Sequence, residues 1–267
     1  MSSTARKAIA VAKADDLLME INVCEPDEID IERIAIYKDA EVRYEPLDGM
    51  DGCLIRDDNA AIITVRRSIN YEEQKRFVIA HELGHFFLHP KTRQIETVDA
   101  DQADDWSEKQ ETEEYEANLF AAEILMPKSL FQSRAKDKEP SFELIESLSR
   151  EFRTTLTSTA VQFVRTTTEE CVLVSSLGRE RLWFIPSAGF SFRMSEDKYI
   201  HGHSCAAEVG RHKRSARSSE IEADFWLEGF RGDHKSYITE DARFFSSLGK
   251  TLSLLWIHDA IEDNRFR

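Results

Sequence analysis

Two stretches of this chain, EEQKRFVIAHELGHFFLHP and ETEEYEANLFAAEILMP, read as helices that run into a proline and carry titratable groups through otherwise apolar sequence. Ionisable side chains are seldom buried unless paired, so a fold built on these stretches must bring the two helices together around those groups. In the first stretch, Asn70 can cap a helix whose third residue is Glu73, and Glu72 and Glu73 both suit the positive helix end. Phe77, Val78, Leu83, Phe86 and Phe87 recur at helical spacing, and Pro90 forbids continuation. The spacing predicts a buried helix of about five turns.

Inside that helix stands His81-Glu82-Leu83-Gly84-His85. Positions i and i+4 share a helix face, so His81 and His85 can grip one ion together. Glu82 lies roughly 100° round the helix, placed to reach a water on the metal rather than the metal itself. Such a pentad arises by chance in some chains, and its setting within a buried helix is what gives it weight. A catalytic zinc usually has three protein ligands and an open position. The third is expected from Glu111–Met126, which lacks Gly and Pro, places Tyr115, Leu119, Ala122 and Met126 at helical spacing and stops at Pro127. Glu113, Glu114 and Glu116 all suit the role chemically, and periodicity does not choose among them.

AHELGHFFLHP followed by EYEANLFAAEILMP resembles the ImmA/IrrE family of metallopeptidases, over about residues 20 to 130. The resemblance implies an α+β chain with a zincin-like N-terminal domain, the two helices facing each other beneath a small sheet. It implies a Glu directly before Ala-Asn as third zinc ligand, which here selects Glu116. The implied metal set is therefore His81, His85 and Glu116 on Zn2+, with Glu82 as the catalytic base. Zinc would lower the pKa of its water to near 7 and polarise a peptide carbonyl, while Glu82 moves the proton to the leaving amine. The implied substrate is a helix-turn-helix transcriptional repressor, cleaved in response to a stress, phage or mobile-element signal. Asn118 is a candidate to hold the outer nitrogen of a ligand imidazole. His89, one turn beyond His85, is expected at the helix end or behind the ligands rather than on the ion.

Upstream, Cys53–Arg56 and Ala61–Arg66 read as a hairpin about Asp57-Asp58-Asn59, either a plain core hairpin or, as the resemblance implies, an edge to which an extended substrate adds. The four cysteines, at positions 24, 53, 171 and 205, lack paired spacing and read as reduced thiols. One of them could instead fill the open zinc position. A formal net charge of -15 argues against a general nucleic-acid coat and suits a basic protein partner. With no long apolar run and no signal-like segment, the expected location is cytoplasmic.

The expected organisation is a metallopeptidase domain over 1–135, a helical linker over 136–168 and an α+β sensor domain over 169–267, the last resembling the GAF type. The linker begins near the polar SRAKDKEPS, and its LSREF and TAVQFV helices look like a helix-turn-helix pair used for packing rather than DNA. In the third part CVLVSS, RLWFIP, the alternation Phe190, Phe192, Met194, and TLSLLWI are expected strands, with short helices at 206–211 and 220–228. Arg211, Lys213, Arg214 and Arg217, followed by Phe225 and Trp226, could hold a nucleic-acid or small-molecule effector by charge and stacking. His201-Gly202-His203 is too weak a pattern to assign. The competing function is a zinc-containing antirepressor, or a nucleic-acid-responsive regulator, that binds its partner without cutting it.

Overall fold

AIITVR is apolar on both faces because it becomes the middle strand of a sheet. In the computed structural model, which describes residues 3–56, 61–89, 113–229, 236–245 and 249–257, β3 (Ala61–Arg66) lies between β1 (Ala40–Glu45) and β2 (Gly52–Arg56). The pair β2–β3 is antiparallel, with Arg56 opposite Ala61 and Gly52 opposite Val65, so the expected hairpin strands form. Their turn lies outside the described residues. β1 pairs with β3 in parallel, an addition that its charge-rich sequence AEVRYE did not announce.

Helix α1 (Ser3–Glu20) and the short α2 (Ile31–Tyr37) precede the sheet. The Asp30 side chain caps α2 by accepting from Arg33 N at 3.1 Å. Helix α3 (Glu72–Leu88) then carries the histidine pentad and ends at His89, before Pro90. Its start corrects the expected Asn70 cap, because Lys75 N bonds to Tyr71 O and Tyr71 occupies the cap without a side-chain bond. Two other devices serve that end. Glu72 and Glu73 face the positive helix terminus, and the buried Arg76 donates to the carbonyls of Ile29 at 3.0 Å and Arg153 at 3.1 Å.

Helix α4 (Glu113–Leu125) matches the second expected helix and is followed by α5 (Lys128–Ala135). Glu123 joins them by accepting from Lys128 N at 2.7 Å and from Gln162 Nε2 at 3.1 Å. Burial pushes the Glu123 carboxyl up to about 7, helped by Asp15 and opposed by those hydrogen bonds. The helical pair α6 (Phe142–Phe152) and α7 (Leu156–Thr166) forms as expected, with Arg153 at φ 54° in the turn. The chain divides into one compact unit of Met1–Arg134 with Ser147–Gln162 and a second of Ala135–Glu146 with Phe163–Arg267. Residues 136–168 are thus shared between the units.

The second unit is an antiparallel five-stranded sheet in the order β5-β4-β8-β7-β6: β4 (Cys171–Leu177), β5 (Glu180–Pro186), β6 (Ala216–Glu222), β7 (Tyr237–Phe245) and β8 (Lys250–Trp256). Helix α8 (Cys205–His212) packs on it over a core that includes Val172, Val174, Val209, Trp226 and Leu255. Two expectations are corrected here. Residues 190–194 form no strand, since Phe190 and Phe192 pack against the core and Met194 makes only a single bridge to Leu227. Residues 220–228 are not a helix, because the alternating ARSSEIE pairs with β7 as β6 and passes into a 3-10 turn at Ala223–Phe225. No helix among the described residues is long and apolar enough to cross a membrane.

Candidate metal centre

Helices α3 and α4 approach closely because each presents a small residue at the crossing. A Cβ added at Gly84 would lie 2.9 Å from Ala117 Cα and 3.1 Å from Ala117 O, so only glycine permits this spacing. The glycine inside the pentad and the alanine of EYEAN therefore fix how near the histidines come to the acidic helix. A glycine in the middle of a long helix was the available signal for this contact.

At the crossing, His81 Nε2 and His85 Nε2 lie 2.9 Å apart. Glu114 Oε2 is 3.1 Å from His81 Nε2, and its Oε1 is 3.4 Å from His85 Nε2. Three atoms about 2.0–2.1 Å from one tetrahedral ion stand about 3.3 Å from one another, so these spacings suit a shared metal. The tautomer agrees for His81. Asn118 Oδ1 lies 2.8 Å from His81 Nδ1, and an amide oxygen can only accept, so Nδ1 carries the hydrogen and Nε2 turns its lone pair inward. Burial lowers the His81 pKa and favours this neutral form. Burial also opposes ionisation of Glu114, yet the two imidazole rings against its carboxyl outweigh that and hold it well below the usual carboxylate range. Two buried imidazoles and a half-buried carboxylate converging on one point fit a divalent cation of the zinc type.

The acidic member differs from the one that the resemblance implied. Glu116 turns instead to His89 Nε2 at 3.1 Å and to Arg6 Nε at 3.2 Å. Helix geometry explains the exchange. Asn118 fixes the face of α4 that meets His81, and the residue one turn earlier on that face is Glu114, whereas Glu116 points to nearly the opposite side. Asn118 takes the supporting place expected of it. His89 lies behind His85 rather than inside the cluster, their Nδ1 atoms 3.1 Å apart.

Glu82 is fully buried beside β2. A Cβ at Gly52 would lie 2.4 Å from Val78 Cγ1 and 2.9 Å from Glu82 Oε1, so the strand backbone passes directly over the carboxylate. At the other end of β2, Arg56 donates to the last-turn carbonyls of α3, Phe86 O at 2.9 Å and His89 O at 2.5 Å. β2 is therefore laid along α3 from Val78 to His89, and within the described sheet only one of its edges is paired. Next to Gly52, Cys53 is buried, and burial pushes its thiol pKa up. Among the described residues the gathered metal-ligating group is His81, His85 and Glu114, without a cysteine.

Residues 36–163 match the IrrE N-terminal-like domain family. The chain carries an ImmA/IrrE family domain. It is also similar in structure to a Mycobacterium tuberculosis transcriptional regulator, with a TM-score of 0.60 and 14% sequence identity, over 92% of this chain and 76% of that one. At such identity the likeness is one of fold. No curated protein matches the chain.

In its second unit, the chain uses part of the basic cluster internally. Arg217 pairs with Glu208, and Arg211 donates to Gly202 O at 2.9 Å, while Lys213 and Arg214 are exposed. Trp226 is not available for stacking, because it is buried and its Nε1 donates to Glu240 at 3.1 Å. Phe225 packs on the ring of His201, with centroids 3.9 Å apart.

Proposed function

We propose that this protein is a zinc-dependent endopeptidase that cleaves one protein partner, a helix-turn-helix repressor, under the control of its second unit. The observation that carries the reading is the convergence of His81, His85 and Glu114 within reach of one ion, with Glu82 next to them under the outer strand of the described sheet. Held by those three side chains, Zn2+ supplies Lewis acidity, polarising a peptide carbonyl and acidifying water. The substrate backbone adds to the outer edge of β2, which runs along α3 and presents the peptide over the pocket. Glu82 Oε1, under Gly52, accepts a proton from the attacking water, and the same carboxyl returns it to the leaving nitrogen. Burial of Glu82 excludes bulk water from that transfer and strengthens the electrostatics of the pocket. The chain's negative charge favours encounter with a basic DNA-binding partner.

In the second unit, the antiparallel sheet with α8 supports the reading of a sensor of the GAF sort, and the exposed Lys213 and Arg214 are its candidate anionic contact. The deciding experiment incubates the purified protein with candidate repressors, with and without zinc chelation and nucleic acid. A cut at one peptide bond, lost on chelation and in Glu82→Gln, is expected. Relief of repression that persists in Glu82→Gln would favour the antirepressor that binds without cutting. Effector dependence that survives replacement of Lys213 and Arg214 by Glu would remove the anionic contact.

A further inference from the structure

Resting on the metal-site reading above, we infer that Arg6, Glu116 and His89 form a positioning relay that sets the tautomer and orientation of His85. Each contact passes to the next. Arg6 Nε lies 3.2 Å from Glu116 Oε1, Glu116 Oε2 lies 3.1 Å from His89 Nε2, and His89 Nδ1 lies 3.1 Å from His85 Nδ1. The protonation pattern follows from the ends. A carboxylate paired with an arginine can only accept, so His89 carries its hydrogen on Nε2 and offers a lone pair at Nδ1. His85 must then donate from Nδ1, which leaves the Nε2 lone pair aimed at His81 Nε2 and Glu114. The relay does for His85 what Asn118 does for His81, and together they make both imidazoles ligands of the same kind. Outer partners of this sort fix ring orientation and raise ligand basicity, and their loss typically weakens metal binding about 10–100-fold.

The burial gradient supports this role. His89 is buried, Glu116 is nearly so, and the guanidinium of Arg6 is partly exposed, with side-chain exposures of 5%, 12% and 37%. The charge is thus brought in from the surface by α1, which also seats Lys7 over the Tyr115 ring and Lys13 over the Phe87 ring. Through Arg6, the first helix becomes part of the metal site without touching the ion.

The test is titration of the purified full chain with Co2+, reading stoichiometry, affinity and the visible ligand-field spectrum. Wild type is expected to bind one equivalent, and Glu114→Gln and His81→Ala to lose it. Glu116→Gln, which is isosteric, and His89→Phe should keep the stoichiometry but weaken affinity about 10–100-fold and shift the spectrum. Arg6→Ala should weaken it less, and Arg6→Lys should restore it. Unchanged affinity and spectrum in Glu116→Gln overturn the relay while leaving the metal site standing, whatever the folding of His89→Phe. Loss of stoichiometric binding in Glu116→Gln, with retention in Glu114→Gln, would make Glu116 a ligand and also overturn it. Failure of the wild type to bind Co2+ would remove the metal reading and the relay with it.

Discussion

Glu240 in the five-stranded unit is fully buried and Glu114 in the first unit is half-buried, and their surroundings treat them in opposite ways. Glu240 is met by four hydrogens: Cys205 N and Ala206 N at 2.8 Å, Ser253 Oγ at 3.0 Å and Trp226 Nε1 at 3.1 Å. It closes the start of α8 and ties the helix to β7 and β8, a structural use of a buried charge. Burial raises its pKa and those donors oppose the rise. Glu114 instead faces two Nε2 atoms whose outer nitrogens hold the ring hydrogens. There acceptor meets acceptor, an arrangement that is stable when a cation stands between them. A carboxylate satisfied by the chain reads as architecture, and one that needs a cation reads as chemistry.

The sharpest test of that contrast is Glu82→Gln, which should lower peptide cleavage by about 10²–10⁴-fold while metal content stays as in wild type. Loss of metal along with activity would mean that Glu82 holds the ion rather than the proton. On the architectural side, Glu240→Ala should cost about 3 kcal/mol or more, since it strands buried N–H groups. Denaturant unfolding followed by tryptophan fluorescence reports it, because Trp183, Trp226 and Trp256 belong to the second unit. Zinc content should not move, and a coupled loss would erase the distinction between the two carboxylates. Gly52→Ala forces its methyl against Val78 and Glu82 Oε1. Displacing the base by a fraction of an ångström should reduce turnover on the order of 10²-fold with metal retained, and unchanged turnover would take β2 away from the reacting atoms.

The smallest expected effect concerns Glu123, whose carboxyl is raised from 4.5 to about 7 on folding. A group raised in this way stabilises fully below its unfolded value, and that stabilisation is lost as pH climbs through the folded one. Unfolding free energy of the first unit should therefore fall by about 1–3 kcal/mol between about pH 5 and 8, and Glu123→Gln should flatten the slope. A slope that persists in the variant would assign it to another group.

The elements that were legible in sequence are those whose periodicity agrees with their burial. Helices α3 and α4 announced themselves through apolar spacing and their closing prolines, and β3 through its unbroken run of β-formers. The strand β7 was not legible, because TEDARFF places Glu240, Asp241 and Arg243 where a sequence pattern expects a loop. Beyond the local Arg243–Asp241 pair, those charges are satisfied by residues distant in the chain, such as Phe142 N on Asp241 and Glu146 on Arg243. Helix α1 was missed for a similar reason, since Arg6, Lys7 and Lys13 give it no clean polar face until α4 is beside it. At the site, His81, Glu82 and His85 could be named from spacing on one helix. The choice between Glu114 and Glu116 could not, because it depends on the rotation of α4 about its axis, which Gly84, Ala117 and Asn118 set by contact.

The clasp of Arg56 on the final carbonyls of α3 has a mechanical consequence. Because one guanidinium grips both Phe86 and His89, the rim strand cannot slide along the helix without unfastening its end, and the turn bearing His89 cannot fray without freeing the strand. If a peptide adds to this strand as proposed, rim and relay histidine are parts of one lever, and the added peptide would press on the same turn that steadies His85.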